Sequence, residues 1–398
     1  MTGRGCVVAA VLAAATALPA SAQTLRLGEA VQITPTARLH ADVRKTDAGE
    51  GEDVDLDLAR RRLGVTGRVT SRVEFEVERE IDATTGGWRD VFVNVRATRA
   101  LQVRAGHFKV PFSREQLTGA GSLDFIDRSR AAALVAPGRG TGVALHGRLL
   151  RRTVGYEAGA FVGDGTRRGG LATTPVTEPT LAARVTLRPR GAAKRAGSLA
   201  DFEIGVAAAA TELQEGRASL RGRLANKDVF FAPVLVSGRR LRVGGDLDWR
   251  PGPLGLRAEF LRADDARQHQ GLLGETLTPL RSQGWYVSGV WAVAGRRAHA
   301  KADDSLSIAG IAGLELALRA ERLSFGTPGA AGSQVWTPRA DQLSPVSASA
   351  WTVGVNWTVN RLVRFQANAV REEVVSRARG AAPPRAAWAP VFRFQVAM

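Results

Sequence analysis

Cysteine is almost absent from this chain. The single one, Cys6, lies in the first short segment, so no disulfide framework and no thiol chemistry can organise the rest. A small secreted fold stapled by disulfides is excluded. Lysine is scarce as well, occurring only at 45, 109, 194, 227 and 301, so nearly all of the 55 basic residues are Arg. GC-rich coding accounts for part of that ratio but not for the sign of the net charge, +17. Such a surplus points to an anionic partner. Beyond residue 22 there is no apolar run near the roughly 20 residues that a membrane helix requires. That absence leaves a barrel open, because a barrel strand crosses with about 10 residues, half of them polar. The mean hydropathy of −0.09 and the 44 glycines suit a barrel and a soluble β protein equally.

What is present begins with MTGRGCVVAAVLAAATALPASAQT. Arg4, the apolar run from Val7 to Leu18 and the small residues Ala20 and Ala22 predict a cleaved secretory signal peptide over 1–22. The run is too short for a membrane anchor. Residues 23–398 are then expected to form one β domain.

The dominant signal in that domain has a period of two. In RRRLGVTGRVTSRVEFEVERE (60–80), Leu63, Val65, Val69, Val73, Phe75 and Val77 share one parity. Arg68, Arg72, Glu74, Glu76 and Glu78 fall on the other. This is the pattern of a strand with one apolar and one charged face. It recurs in ARLHADVR, DVFVNVRA, LAARVTLR, RLRVGGDLDWR, GLELALRAE and WTVGVNWTVN. In LQVRAGHFKV the apolar set is read as Leu101, Val103, Phe108 and Val110. Turn clusters such as APGRGTG, VGDGTRRGG and RPGPLG separate the runs. No segment has persuasive helical periodicity; Phe112 to Ala133 is the best place for helical turns and reads as a long irregular insertion.

Three features favour lipid, rather than a protein core, as the medium around the apolar parity. The opposite parity is strongly charged in many strands. Trp249, Trp285, Trp351 and Trp357 sit at strand ends, as in the aromatic girdles of lipid-facing barrels. The last residues, APVFRFQVAM, alternate Phe392, Phe394, Val396 and Met398 with Arg393 and Gln395, so a strand runs to the end of the chain and can close a barrel.

The stretch GHFKVPFSREQLTGAGSLDFIDRSRAAALVAPGRGTGVALHG (106–147) resembles the phosphate-selective porin O and P family. The resemblance rests on Gly106-His-Phe-Lys-Val-Pro-Phe-Ser-Arg-Glu, on Asp124-Phe-Ile-Asp-Arg-Ser, and on Ala136-Pro-Gly-Arg before a glycine-flanked strand. QGWYVSGVW, AGLELALRAERL and WTVGVNWTVNRLVRFQANAV continue it in order to the end of the chain. Thr358, where the family tends to a second aromatic, and VAGRRAHA after the Trp-Tyr strand depart from its pattern, and Met398 stands where outer-membrane barrels usually end in an aromatic. The resemblance implies an all-β fold: a transmembrane antiparallel β-barrel of about 16 strands in the outer membrane. It also implies a homotrimer, inward-folded constriction loops and a basic pore lining.

In such a barrel the charged parity faces water inside. Parity then makes Arg68, Arg72, Arg104, Arg184, Arg242 and Arg364 candidates for the lumen wall. The segment after Val110 is the expected constriction, with Lys109, Arg114, Arg128, Arg130 and Arg139 as candidate anion ligands. Asp127 and Glu115 would orient them or tune release. Arg offers fixed bidentate donors to phosphate oxygens, whereas Lys offers a mobile point charge. For each single residue the alternative is a solvated loop charge or a structural ion pair. Because Glu74, Glu76 and Glu78 also face inward, opposed basic and acidic walls are a further expectation.

The expected partners are small anions, phosphate first, and outer-membrane lipids; no nucleic acid is expected, since aromatics and arginines fall on opposite parities. A general or organic-anion porin, and a secreted basic polyanion-binding β protein, are the alternatives. No catalytic motif is present, and the five His (40, 107, 146, 269, 299) lack metal-ligand spacing. Neither an enzyme, nor a metal, nor a cofactor is expected.

Overall fold

A computed structural model describes residues 24–28, 30–48, 51–81, 87–165, 178–189, 202–225, 228–294, 313–330, 337–360, 362–376 and 388–398. The predicted signal peptide, Lys194, Lys227, Lys301 and His299 lie outside these.

The alternating segments form long strands: β1 (Val31–Ala48), β2 (Gly51–Val69), β3 (Val73–Glu80), β4 (Gly87–Arg96), β5 (Gln102–Lys109), β6 (Arg139–Leu149), β7 (Val154–Val162) and β8 (Pro179–Leu187). They continue as β9 (Phe202–Ala218), β10 (Leu235–Trp249), β11 (Leu254–Arg267), β12 (Leu277–Ala294), β13 (Gly313–Gly326), β14 (Val346–Thr358), β15 (Val363–Ser376) and β16 (Trp388–Ala397). Every strand pairs antiparallel with its neighbour in sequence, and β16 returns to β1, with Phe392 opposite Val43 and Phe394 opposite Ala41. The sheet's further member, Leu25–Leu27, only folds back on the start of β1. The result is a closed 16-strand antiparallel barrel. Closure matters because an unpaired edge would leave bare N–H and C=O groups in the hydrocarbon.

Five connections, at 70–72, 97–101, 150–153, 250–253 and 359–362, are short and lie at one end, called here the turn end. The opposite loop end carries 110–138 and the ends of β7, β9 and β13. Loop 110–138 contains two short helices, α1 (Arg114–Leu117) and α2 (Arg130–Leu134), and folds into the barrel.

The partition of side chains is the reverse of a soluble protein's. Val93, Leu145, Leu318 and Val353 are 45–49 % exposed on the outer face, while Arg240, Arg242 and Asp265 are at most 1 % exposed inside. A continuous apolar exterior of this extent requires lipid. One apolar group departs from it. Phe108 and Val110, read from the sequence with the outward set, are buried in the interior. Phe108 has the parity of Arg104, not of Leu101 and Val103, and packs edge-on against the inward Phe92 and Phe161 at 6.0 and 5.3 Å. These rings belong to a lumenal apolar seat, completed by small side chains such as Ala144, Ala182, Ala207 and Ala209, on which the loop rests.

Candidate functional site

Loop 110–138 is built from two capped turns. Ser113 Oγ accepts from Gln116 N at the start of α1, and Ser129 Oγ accepts from Ala132 N at the start of α2. Ser129 joins the two by donating both its N–H and its hydroxyl to Glu115 Oε2 (2.9 and 2.6 Å). Phe112, Ala131, Ala132 and Val135 turn the apolar side of the loop onto the barrel wall. A Cβ at Gly284 on β12 would come within 2.9 Å of the Ala131 methyl, so the close seat of α2 needs glycine there.

Buried polar groups then fasten the loop. Arg184 Nη1 donates to Phe112 O (2.8 Å), Arg242 Nε to Val135 O (2.9 Å), Arg364 Nη1 to Leu123 O (2.9 Å) and Arg393 Nη1 to Ile126 O (2.8 Å). Arg319 donates to Asp127 O (3.0 Å) and lies over the Phe125 ring. In the other direction, loop charges reach the wall: Arg114 binds Glu203 and Asp248, Arg130 binds Glu372 (2.8 Å), and Asp127 accepts both arms of Arg44 (2.8 and 3.0 Å). Burial opposes ionisation of Asp127, but the Arg44 donors, with Arg130 and Arg393 nearby, hold its carboxyl well below the usual range. Burial pushes the Glu115 carboxyl up in spite of Arg319 and Ser129.

The loop therefore fills the side of the lumen under β8 to β16 and leaves an opening on the other flank. Between residues 116–120 and 128 of the loop and the wall of β1 to β6 lies a cavity of about 340 Å³. Seven cations line it (Arg38, Arg60, Arg62, Arg104, Lys109, Arg128, Arg139) against three carboxylates (Glu76, Glu78, Asp90). It shares Lys109, Gln116 and Arg139 with a cavity of about 570 Å³ toward the loop end. It shares Leu117 with one of about 490 Å³ toward the turn end, which is lined by Arg96, Arg99, Arg148, Arg152 and Arg184. Shared lining residues set these three cavities next to one another along a basic flank.

Within the waist the cations differ in how far they are neutralised. Arg62 is held by Glu78 (2.8 Å) and Glu80 (2.6 Å), and Arg139 by Asp90 (2.6 Å). Lys109 donates to Leu117 O (2.9 Å) and Thr118 O (3.1 Å), and Arg128 to Glu115 O and Thr118 O (3.0 and 2.7 Å). Arg104 meets Glu157 at 3.3 Å and covers the Phe92 and Phe108 rings. Arg60 forms no ion pair and no side-chain hydrogen bond among the described residues; its Nε is buried bare, and Arg393, Arg62, Arg128 and Glu80 are its charged neighbours.

The residues singled out from sequence thus divide. Lys109, Arg128, Arg139 and Arg104 line the waist. Arg184 and Arg68 line cavities toward the turn end. Arg114, Arg130 and Asp127 are spent on seating the loop, and Arg242 and Arg364 are buried beneath it. Arg72 lies in the turn after β2, exposed, and does not reach the wall to which its parity assigned it. Sequence reasoning passed over Arg38, Arg60 and Arg62. The signal was there: in the run Arg60-Arg61-Arg62 the inward parity takes Arg60 and Arg62. The inward glutamates sit on the same flank as these cations, not on an opposed acidic wall.

The family model for phosphate-selective porin O and P matches residues 33–397. No curated protein sequence matches the chain. Among solved structures, the fold is similar to OmpT of Vibrio cholerae in its trimer form (TM-score 0.57, 10 % identity, covering 93 % of this chain and 100 % of that one). It is similar to the anion-selective porin from Comamonas acidovorans (TM-score 0.56, 13 % identity, 92 % and 100 % covered). It is also similar to the outer-membrane channel DcaP of Acinetobacter baumannii (TM-score 0.59, 11 % identity, 94 % and 99 % covered).

Proposed function

Because the chain belongs to the phosphate-selective porin O and P family and is an outer-membrane channel, we propose that it conducts small anions, phosphate among them, along the basic flank of its lumen. The observation that carries this reading is the cationic excess of the waist, whose lining holds seven cations and three carboxylates and in which Arg60 forms no ion pair among the described residues. An anion arriving there exchanges hydration for guanidinium donors. It is released because neighbouring sites above and below offer similar donors. Arg60, Arg38 and Lys109 act as ligands; Arg128 and Arg139 hold the aperture and add to its field. Short turns face the periplasm and long loops the exterior, the usual orientation of such barrels. Residues 1–22 are removed on export, so an intact-mass measurement of the protein taken from outer membranes should place its first residue at Gln23. Three copies associate, as the OmpT neighbour does in its trimer form; cross-linking in native membranes should stop at three.

The direct test titrates phosphate into chloride solution while single-channel chloride current is recorded. Saturable block at constant ionic strength supports a phosphate-binding waist. Chloride current without block is the behaviour of a general anion porin. Absence of any anion current removes the proposal.

A further inference from the structure

The outward-facing tryptophans form two levels, and their neighbours differ between the ends of the barrel. At the turn end Trp249 stands between Phe202 and Leu256, Trp291 between Leu254 and Leu316, and Trp357 between Leu314 and Phe365. All of those neighbours are apolar. At the loop end each tryptophan has an arginine directly across the ladder: Trp88 faces Arg79, Trp285 faces Arg322, and Arg371 stands between Trp351 and Trp388.

These three arginines are exposed, and among the described residues none is paired with a carboxylate. Arg79 lies 5.3 Å over the Trp88 ring, and Arg322 donates to Ser347 Oγ at 3.0 Å. A step further out, Arg262 and Arg281 share the single carboxylate of Asp264 (2.7 and 2.9 Å), which leaves that group cationic too.

Trp anchors at the boundary between hydrocarbon and headgroups. A guanidinium held beside it sits at headgroup depth, where its planar fork matches a phosphate and, among the described residues, no carboxylate within ion-pair distance claims it. Among the described residues, the ladder neighbours of the turn-end tryptophans include no arginine. We infer that the loop-end girdle is a binding surface for phosphate-bearing lipid headgroups, and that the two leaflets are told apart by this difference. The inference needs only the membrane-spanning barrel and stands apart from what the channel carries.

The test refolds the full chain in detergent and adds diphosphoryl lipid A or the same lipid stripped of its phosphates, with bound lipid counted by native mass spectrometry. Wild type should retain the phosphorylated lipid in clear excess. Each of Arg79→Gln, Arg322→Gln and Arg371→Gln should weaken retention by about fivefold, the worth of roughly one surface cation at an anionic membrane. The triple variant should fall to the level of the phosphate-free lipid, with channel conductance unchanged. Arg151→Gln, at the turn end, should leave retention as it was. Equal retention of the two lipids by wild type overturns the inference, as does a folded triple variant that binds like wild type. If the triple variant fails to fold, the wild-type comparison of the two lipids decides.

Discussion

At the scale of the residue, the lumenal arginines perform two separable tasks. Those under β8 to β16 are consumed by carboxylates and loop carbonyls, whereas Arg60 keeps its charge for the pore. Arg60→Gln should weaken phosphate block by about tenfold or more, since a charge-assisted hydrogen bond contributes about 1.5–3 kcal/mol, with folding unaffected; the block titration checks it. Arg240→Ala should do the opposite. Asp265 is fully buried and accepts from Nε and Nη2 of Arg240 (2.6 and 2.9 Å), whose Nη1 donates to Asp164 (2.7 Å). Stranding it should cost about 3–5 kcal/mol, read as a lower unfolding temperature of the barrel in a heat-modifiability gel. The two roles were not distinguishable in the sequence. Parity shows that Arg184, Arg242 and Arg60 all point inward. Which of them is neutralised depends on partners far away in the chain, as Arg114 illustrates by reaching Glu203 and Asp248, 89 and 134 residues on.

At the scale of the element, loop 110–138 sets the aperture, and its seat is steric on one side and ionic on the other. Gly284→Leu should lift α2 from the wall, costing about 1–3 kcal/mol as overpacking does, and should raise open-channel noise in single-channel records. The ionic side has a definite pH window. The folded Asp127 carboxyl titrates below its unfolded value, so the unfolded chain binds more protons and the latch stabilises at all pH above about 4. Its contribution is lost only as pH falls through the lower, folded value. Channel noise should therefore stay level from neutral pH down to about 4, and Asp127→Asn should show at neutral pH the noise that wild type reaches only in strong acid. The sequence revealed that an irregular insertion with helical turns lies here, because Phe112 to Ala133 breaks the alternation. It did not reveal the lumenal apolar seat. Phe108 and Val110 are as hydrophobic as any lipid-facing residue, and only their parity with Arg104 separates them.

At the scale of the whole molecule, the period-two pattern determines the architecture: apolar side chains face lipid, ionic ones face water, and a final strand from Trp388 to Ala397 joins β1 so that no edge is left. That much was legible from Leu63, Val65 and Val77 against Arg62, Glu78 and Glu80. The strand number was not, because alternation does not count strands; about 16 came from the family resemblance. Strand lengths were hidden for a related reason: β1 and β2 run to 18 and 19 residues, well past the roughly 10 that a bilayer requires, into the loop-end mouth. The asymmetry of the lumen was also invisible, since it arises from a loop crossing to the far wall. Its consequence is a single basic flank rather than a uniform ring. The reversal potential of one channel in a planar bilayer, under a potassium chloride gradient, interrogates that flank most directly. Selection by uncompensated arginines displaces it toward the chloride equilibrium potential, and Arg60→Glu draws it back toward zero; a wild-type value at zero or on the potassium side is incompatible with an anion path along these residues.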